Sequence, residues 1–180
     1  YVNSHYVIMA TKMGQVKKTS LEQYSRPRSN GINAITIKDD DELLEAKLTN
    51  GNSQIMLAVK SGKAIRFEEN KTRPMGRNAS GVRGIRLKDD KDEVVGMISV
   101  NDMDANILVV SENGFGKRSS LEDYRLTNRG GKGVKTISIT EKTGKLVTLK
   151  SVSDNDDLMI INKSGIAIRM QVEDLRVMGR

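Results

Sequence analysis

The chain has 180 residues and a formal net charge of +7, from 30 Lys and Arg against 23 Asp and Glu. It contains no cysteine, which excludes disulfides and thiolate metal sites and suits a reducing compartment such as the cytoplasm. No apolar run exceeds about five residues, far short of the ~20 that a membrane helix needs, and no cationic segment leading into an apolar stretch opens the sequence as a secretory leader would. The basic balance favours nucleic acid or another anionic surface as partner and says nothing about fold.

The first unit starts on the apolar run Val7–Ala10, turns at Met13-Gly14 and returns through Lys17 and Lys18. Ser20-Leu21-Glu22-Gln23-Tyr24 reads as a single helical turn, and the basic loop with Arg26 and Arg28 follows. Gly31 then opens a β-rich stretch, GINAITI, and Glu45–Leu48 supplies a third strand. The second unit repeats this order. Gln54–Val59 is a strand, Lys60-Ser61-Gly62 a tight turn that tolerates positive φ, and Lys63–Phe67 the return strand. Gly81 opens GVRGIRL, and Val94–Val100 is the third strand. The third unit turns at Gly114, carries Ser120-Leu121-Glu122-Asp123-Tyr124, opens GVKTISI at Gly133 and places its third strand at Leu146–Val152. The fourth turns at Gly165 and reaches Arg176–Arg180 without the second half of the other units, so the sequence reads as part of a longer array.

The turn glycines 14, 62, 114 and 165 are spaced by 48, 52 and 51 residues. Four positions after each stands a cation: Lys18, Arg66, Arg118 and Arg169. Chance alone gives four of four about once in 1,300. A period of this length, with several short strands per unit and no sustained helical periodicity, predicts an all-β, propeller-like array. The repeats are placed at residues 1–53, 54–105, 106–156 and 157–180 within one domain. Units also alternate: the segment at 20–24 returns at 120–124, and Arg73-Pro74-Met75-Gly76-Arg77 returns as Arg176-Val177-Met178-Gly179-Arg180. Recurrence of Tyr24 and Tyr124 with the repeat assigns them to packing rather than chemistry.

Two readings of the cation column are open. Cations at regular pitch, with glycines where the main chain comes close, suit a curved phosphate track; equally, they are strand-face charges paired with acidic turns. On the first reading the DNA contacts are Lys17, Lys18, Arg66, Lys117, Arg118 and Arg169 on the return strands. The loops add Arg26, Arg28, Arg73, Arg77, Arg125, Arg129, Lys132 and Arg176, and the stretches after the second glycine add Arg83, Arg86 and Lys135. The acidic runs Asp39–Glu42, Asp89–Glu93 and Asp154–Asp157 read as solvated turns, and their spacing does not match a calcium loop.

With no Trp, two Phe and four Tyr, the chain lacks the stacking platforms of single-strand and RNA readers. No helix suits the major groove, which leaves sequence-independent contact with duplex backbone. Catalysis finds no support in a single histidine, His5, or in Gly76–Gly81, whose Walker-like spacing is followed by Val82-Arg83 instead of Lys and Ser or Thr.

The stretch Met75–Leu87 (MGRNASGVRGIRL), with Asn113-Gly114-Phe115-Gly116-Lys117-Arg118, closely resembles the C-terminal domain of the A subunit of bacterial DNA gyrase. Asn128-Arg129-Gly130-Gly131-Lys132-Gly133 partly echoes that family's signature box without its leading Gln-Arg. The resemblance implies a β-pinwheel of about six blades, of which this chain covers roughly the third to the sixth. It implies a basic rim that wraps duplex DNA and supports negative supercoiling, with no catalytic residue, cofactor or metal in this domain. The gate tyrosine and the sites for ATP and Mg²⁺ belong elsewhere in the enzyme. The implied partners are duplex DNA, the rest of the A subunit, plus the B subunit, in the bacterial cytoplasm at the nucleoid, with the fragment itself a monomer. The topoisomerase IV A subunit is the similar alternative, and a propeller-like protein scaffold is a second.

Overall fold

The computed structural model describes residues 4–180; residues 1–3 of the first predicted repeat lie outside them. Units one to three are each a hairpin with a third strand added on the free side of the first strand. In unit one, β1 (Tyr6–Thr11) pairs antiparallel with β2 (Gln15–Ser20) and with β3 (Leu43–Thr49). In unit two, β4 (Gln54–Val59) lies between β5 (Lys63–Glu68) and β7 (Val94–Val100), while β6 (Val82–Arg83) leaves this sheet. In unit three, β8 (Asn106–Ser111) lies between β9 (Gly116–Ser120) and β12 (Leu146–Val152). That unit also contains β10 (Leu126–Thr127) and β11 (Val134–Lys135). Unit four is the hairpin of β13 (Asp157–Ile161) and β14 (Ala167–Gln171). One 3-10 turn follows each return strand, at Leu21–Tyr24, Glu69–Lys71, Leu121–Asp123 and Val172–Asp174.

The strands after the second glycines depart from expectation. β6 belongs to unit two in sequence but pairs with β2 of unit one, with Arg83 opposite Gln15 and Val82 opposite Val16. β11 of unit three likewise pairs with β5 of unit two, Lys135 opposite Lys63 and Val134 opposite Ala64. The first two blades are thus completed by a segment donated from the next unit. The segment GINAITI is not a strand, and it has no such partner blade among the described residues.

The donation explains the turn glycines. The carbonyl of Gly62 accepts bonds from Thr136 and Ile137 N–H at 2.8 and 3.3 Å, and a Cβ there would stand 2.5 Å from the Ile137 carbonyl oxygen. Its φ of +90° closes the hairpin as well. Gly114 has the same backbone but only open space around it, because no donated strand covers its turn.

Blades stack face to face, so their middle strands are buried on both sides and read as unbroken apolar runs rather than as alternation. Ile55, Leu57 and Val59 pack with Ile8, Ala10 and Val16 of the preceding blade. Their neighbours Met56 and Ala58 pack with Ile107 and Val109 of the following blade. Tyr124 is buried in that second cluster with its hydroxyl on Thr136 Oγ1, which fits the packing role, and burial raises its pKa.

Candidate nucleic-acid interface

The cation column lies between blades. Residues two and four positions past the turn glycine share a strand face, and the second position there is Val16, Ala64, Gly116 or Ala167. That face packs on the next blade. Arg118 is 6% exposed. Its Nε donates to Asn106 Oδ1 at 2.7 Å, and its Nη1 to the Val172 and Leu175 carbonyls at 2.8 and 3.1 Å, with Asp154 as ion partner. Arg66 repeats the geometry one blade earlier, donating to Gln54 Oε1 at 2.6 Å and to the Leu121 and Tyr124 carbonyls at 3.2 and 2.9 Å. Lys18 is 4% exposed, with Nζ 3.4 Å from Glu69 Oε2 and 4.2 Å above the Tyr6 ring. In all three the cation of one blade holds the 3-10 turn of the next.

The reading of Lys18 and Arg118 as DNA contacts is therefore corrected: both are buried within the blade stack and offer little or nothing to a phosphate outside it. Arg66 is half-buried, and beside its latch contacts it lines the groove that carries Arg125 and Lys132. Arg169, at 72% exposure, pairs with Asp157 of its own hairpin, which raises its pKa. The alternative reading, strand cations on acidic turns, describes Arg118 with Asp154 and Arg169 with Asp157.

Lys17 needs the same correction. Its side chain is fully buried, with Nζ donating to the Ala34 carbonyl and, at 2.5 Å, to the Arg77 carbonyl. No carboxylate pairs with it among the described residues. Burial, followed by the nearby Arg77 charge, lowers its pKa to about 8. Lys117, at the equivalent position in unit three, donates to the Thr136 carbonyl at 3.3 Å and is half-buried, with its pKa lowered chiefly by burial.

The alternation of units is also structural. Arg77 Nη1 reaches back to the Asn33 carbonyl at 2.8 Å, and Arg180 Nη1 reaches the Lys135 carbonyl at 3.3 Å, so units two and four clip onto units one and three. The acidic runs are not uniformly solvated. Asp92 is buried and accepts from Ser61 N–H and Oγ, Lys88 N–H and Glu93 N–H, tying the hairpin turn to the loop before β7.

Arg26, Arg28, Arg73, Arg83, Arg86, Arg125, Lys132, Lys135 and Arg176 remain exposed. Several converge at the seam between units two and three. Arg129 is half-buried and bridges that seam, with Nε on the Lys71 carbonyl at 3.0 Å and Nη1 on the Arg83 carbonyl at 3.1 Å. Gly130 N–H meets the Gly84 carbonyl at 2.7 Å, and Arg86 N–H meets that of Gly131 at 2.8 Å. The result is a groove of about 180 Å³ whose lining includes Lys63, Arg86, Lys88 and Lys132 beside Asp92. A second of about 350 Å³ carries Arg125, Asn128 and Lys132, so Lys132 joins the two. Arg28 and Arg77 line a separate groove of about 260 Å³ at the first unit.

Sequence reasoning passed over Lys63 and Lys88. Neither recurs with the repeat, and it is the donated β11 and the Arg129–Gly131 loop that bring Lys132 beside them and Arg86. Among the residues lining these two grooves Asp92 is the one acid, and it is committed to Ser61 and to the Lys88 and Glu93 N–H groups, so the lining is positive on balance, an arrangement suited to phosphate oxygens.

A model of the DNA gyrase C-terminal domain, beta-propeller, matches residues 5–50, 54–101, 105–153 and 156–180. The A subunit of DNA gyrase from Staphylococcus epidermidis is 45% identical over 176 residues, 97% of this chain. Its Staphylococcus aureus counterpart is also 45% identical, over 178 residues. The chain spans about a fifth (20%) of the length of these curated relatives. Among solved structures, the C-terminal domain of a DNA topoisomerase IV superposes with a TM-score of 0.92 at 26% identity, covering 98% of this chain and 55% of that one. A DNA gyrase A C-terminal domain superposes at 0.86 and 25%, covering 99% and 59%.

Proposed function

The chain belongs to the DNA gyrase C-terminal domain, beta-propeller family, and from that premise we propose that it is a non-catalytic module that bends and wraps duplex DNA along its exposed basic loops. The observation that carries this reading is the seam between units two and three, where Lys63, Arg86, Lys88 and Lys132 line one groove and Arg125 continues it. Contacts of this kind are to the backbone, so they are sequence-independent and leave any preference to the bendability of the duplex. In the whole enzyme the module acts with the remaining domains of the A and B subunits. It presents a wrapped segment for strand passage, which favours negative supercoils, and the ATP and Mg²⁺ chemistry belongs to other domains.

The test is binding to linear duplex DNA across a salt series, for the parent and for the double variant Arg86→Ala, Lys132→Ala. Each neutralised phosphate adds about −0.9 to the slope of log K against log salt, so the double variant flattens the slope by about 1.8. An unchanged slope removes the seam from the binding surface. The high structural likeness to a topoisomerase IV domain supports a second reading with the same DNA partner but without the wrap. Supercoiling by the full enzyme separates the two.

A further inference from the structure

The latch arginines Arg66 and Arg118 use two donor edges in the same way. Nε meets the side-chain amide oxygen of the residue twelve positions earlier, Gln54 or Asn106. Nη1 meets two carbonyls at the following 3-10 turn. The third edge differs. Arg118 Nη2 pairs with the Asp154 carboxylate, whereas Arg66 Nη2 donates to Met103 Sδ at 3.7 Å. Met103 and Asp154 fill one slot of the repeat, each eleven residues before the next turn glycine, Gly114 or Gly165. Unit three thus offers its latch an anion where unit two offers a thioether.

A thioether is a weak acceptor, so the third partner of Arg66 is the poorest in the set. It is also the one that chemistry can change. Met103 is 44% exposed, on the loop between β7 and β8. The chain has no cysteine, which leaves methionine as its oxidisable sulfur. Met13, Met159 and Met178 are exposed too, but among the described residues Met103 is the methionine whose sulfur accepts a hydrogen bond.

We propose that Met103 is a reversible oxidation site, at which peroxide turns a weak acceptor of Arg66 into a strong one and tightens the latch between units two and three. A sulfur lone pair attacks one peroxide oxygen, and the S–O bond forms as the O–O bond breaks. Sulfur loses two electrons, the peroxide gains them, and the departing hydroxide takes the proton left on the transferred oxygen to become water. The product is a sulfoxide, polar and with a partial negative charge on oxygen. Rotation about the terminal side-chain bonds brings that oxygen into the 3.7 Å gap to Nη2. Arg66 then holds an oxygen on its third edge, as Arg118 does with Asp154. Methionine sulfoxide reductase reverses the step: two thiols become a disulfide, and the oxygen leaves as water.

The test treats the folded chain with dilute hydrogen peroxide. Peptide mass mapping locates the added oxygen, and urea unfolding read by circular dichroism follows the latch. Met103 is expected to gain one oxygen, and the parental midpoint to rise by about 0.3 M, as suits an exposed charged contact. Met103→Leu, treated alike, is expected to take up oxygen at the other exposed methionines and to show no rise, which separates Met103 from them. Met103→Asp copies the Asp154 arrangement without oxidation and is expected to raise the midpoint similarly. Reductase with a dithiol returns the oxidised parent to its starting midpoint. A Met103 that stays unoxidised, an oxidised parent whose midpoint is unchanged or lower, or an equal rise in Met103→Leu overturns the proposal.

Discussion

Arg118→Ala separates a blade latch from a DNA contact. The guanidinium serves Asn106 Oδ1 and the Val172 and Leu175 carbonyls across the seam between units three and four. Asp154 is largely exposed, so its ion pair contributes at most about 1 kcal/mol. The neutral acceptors dominate. Each bond to a charged donor is worth about 1.5–3 kcal/mol, and an acceptor stranded by truncation keeps its desolvation penalty. The three bonds share one group and water can enter the space left behind, so their sum overstates the loss; about 3 kcal/mol is the expected destabilisation. With a urea slope of about 2 kcal/mol per molar, the unfolding midpoint falls by about 1.5 M, read by far-ultraviolet circular dichroism. Arg169→Ala leaves the midpoint where it was, because among the described residues Arg169 holds only Asp157 of its own hairpin. DNA affinity of folded Arg118→Ala and its salt slope are expected to match the parent. A parental midpoint with a flattened salt slope refutes the latch and restores the phosphate track.

Three further outcomes follow from the same contacts. Lys17 has a folded pKa of about 8 against 10.5 for a free lysine, so between those values the unfolded chain binds more protons and stability rises with pH. Chemical denaturation from pH 8 to 9.5, below tyrosine ionisation, is expected to show that rise in the parent, and Lys17→Met to flatten it. Gly62→Ala, whose Cβ would meet the Ile137 carbonyl oxygen, is expected to cost about 1–2 kcal/mol more than Gly114→Ala, which carries only the positive-φ penalty; thermal melts of the two compare them directly. Lys63→Ala with Lys88→Ala is expected to reduce the salt slope of DNA binding by up to about 1.8 without altering the urea midpoint.

What was legible in the sequence was local. Gln54–Val59 and its return through Gly62 could be read because turn and strands lie within fifteen residues and the apolar run is continuous. The donated strands were not legible, since β6 is two residues long and its partner β2 lies more than sixty residues away. A Val-Arg pair carries no pattern that names a distant edge. The cation column is the more instructive case. In an array of like blades, a structural contact between neighbours recurs with the same period as a ligand contact on the rim, so recurrence cannot decide between them. Strand parity can. Val16, Ala64, Gly116 and Ala167 stand two residues before the four cations, on the same face. A position that is always small or apolar marks that face as one that packs, and a cation beside it on the same strand points into the packed layer. The surface proposed to meet DNA shows the converse. Arg86, Lys88 and Lys132 share no column, and Lys132 meets the other two only because a loop from one unit closes over a strand donated to another. Period therefore identifies what holds this array together, whereas its basic seam is built from residues in which the units differ.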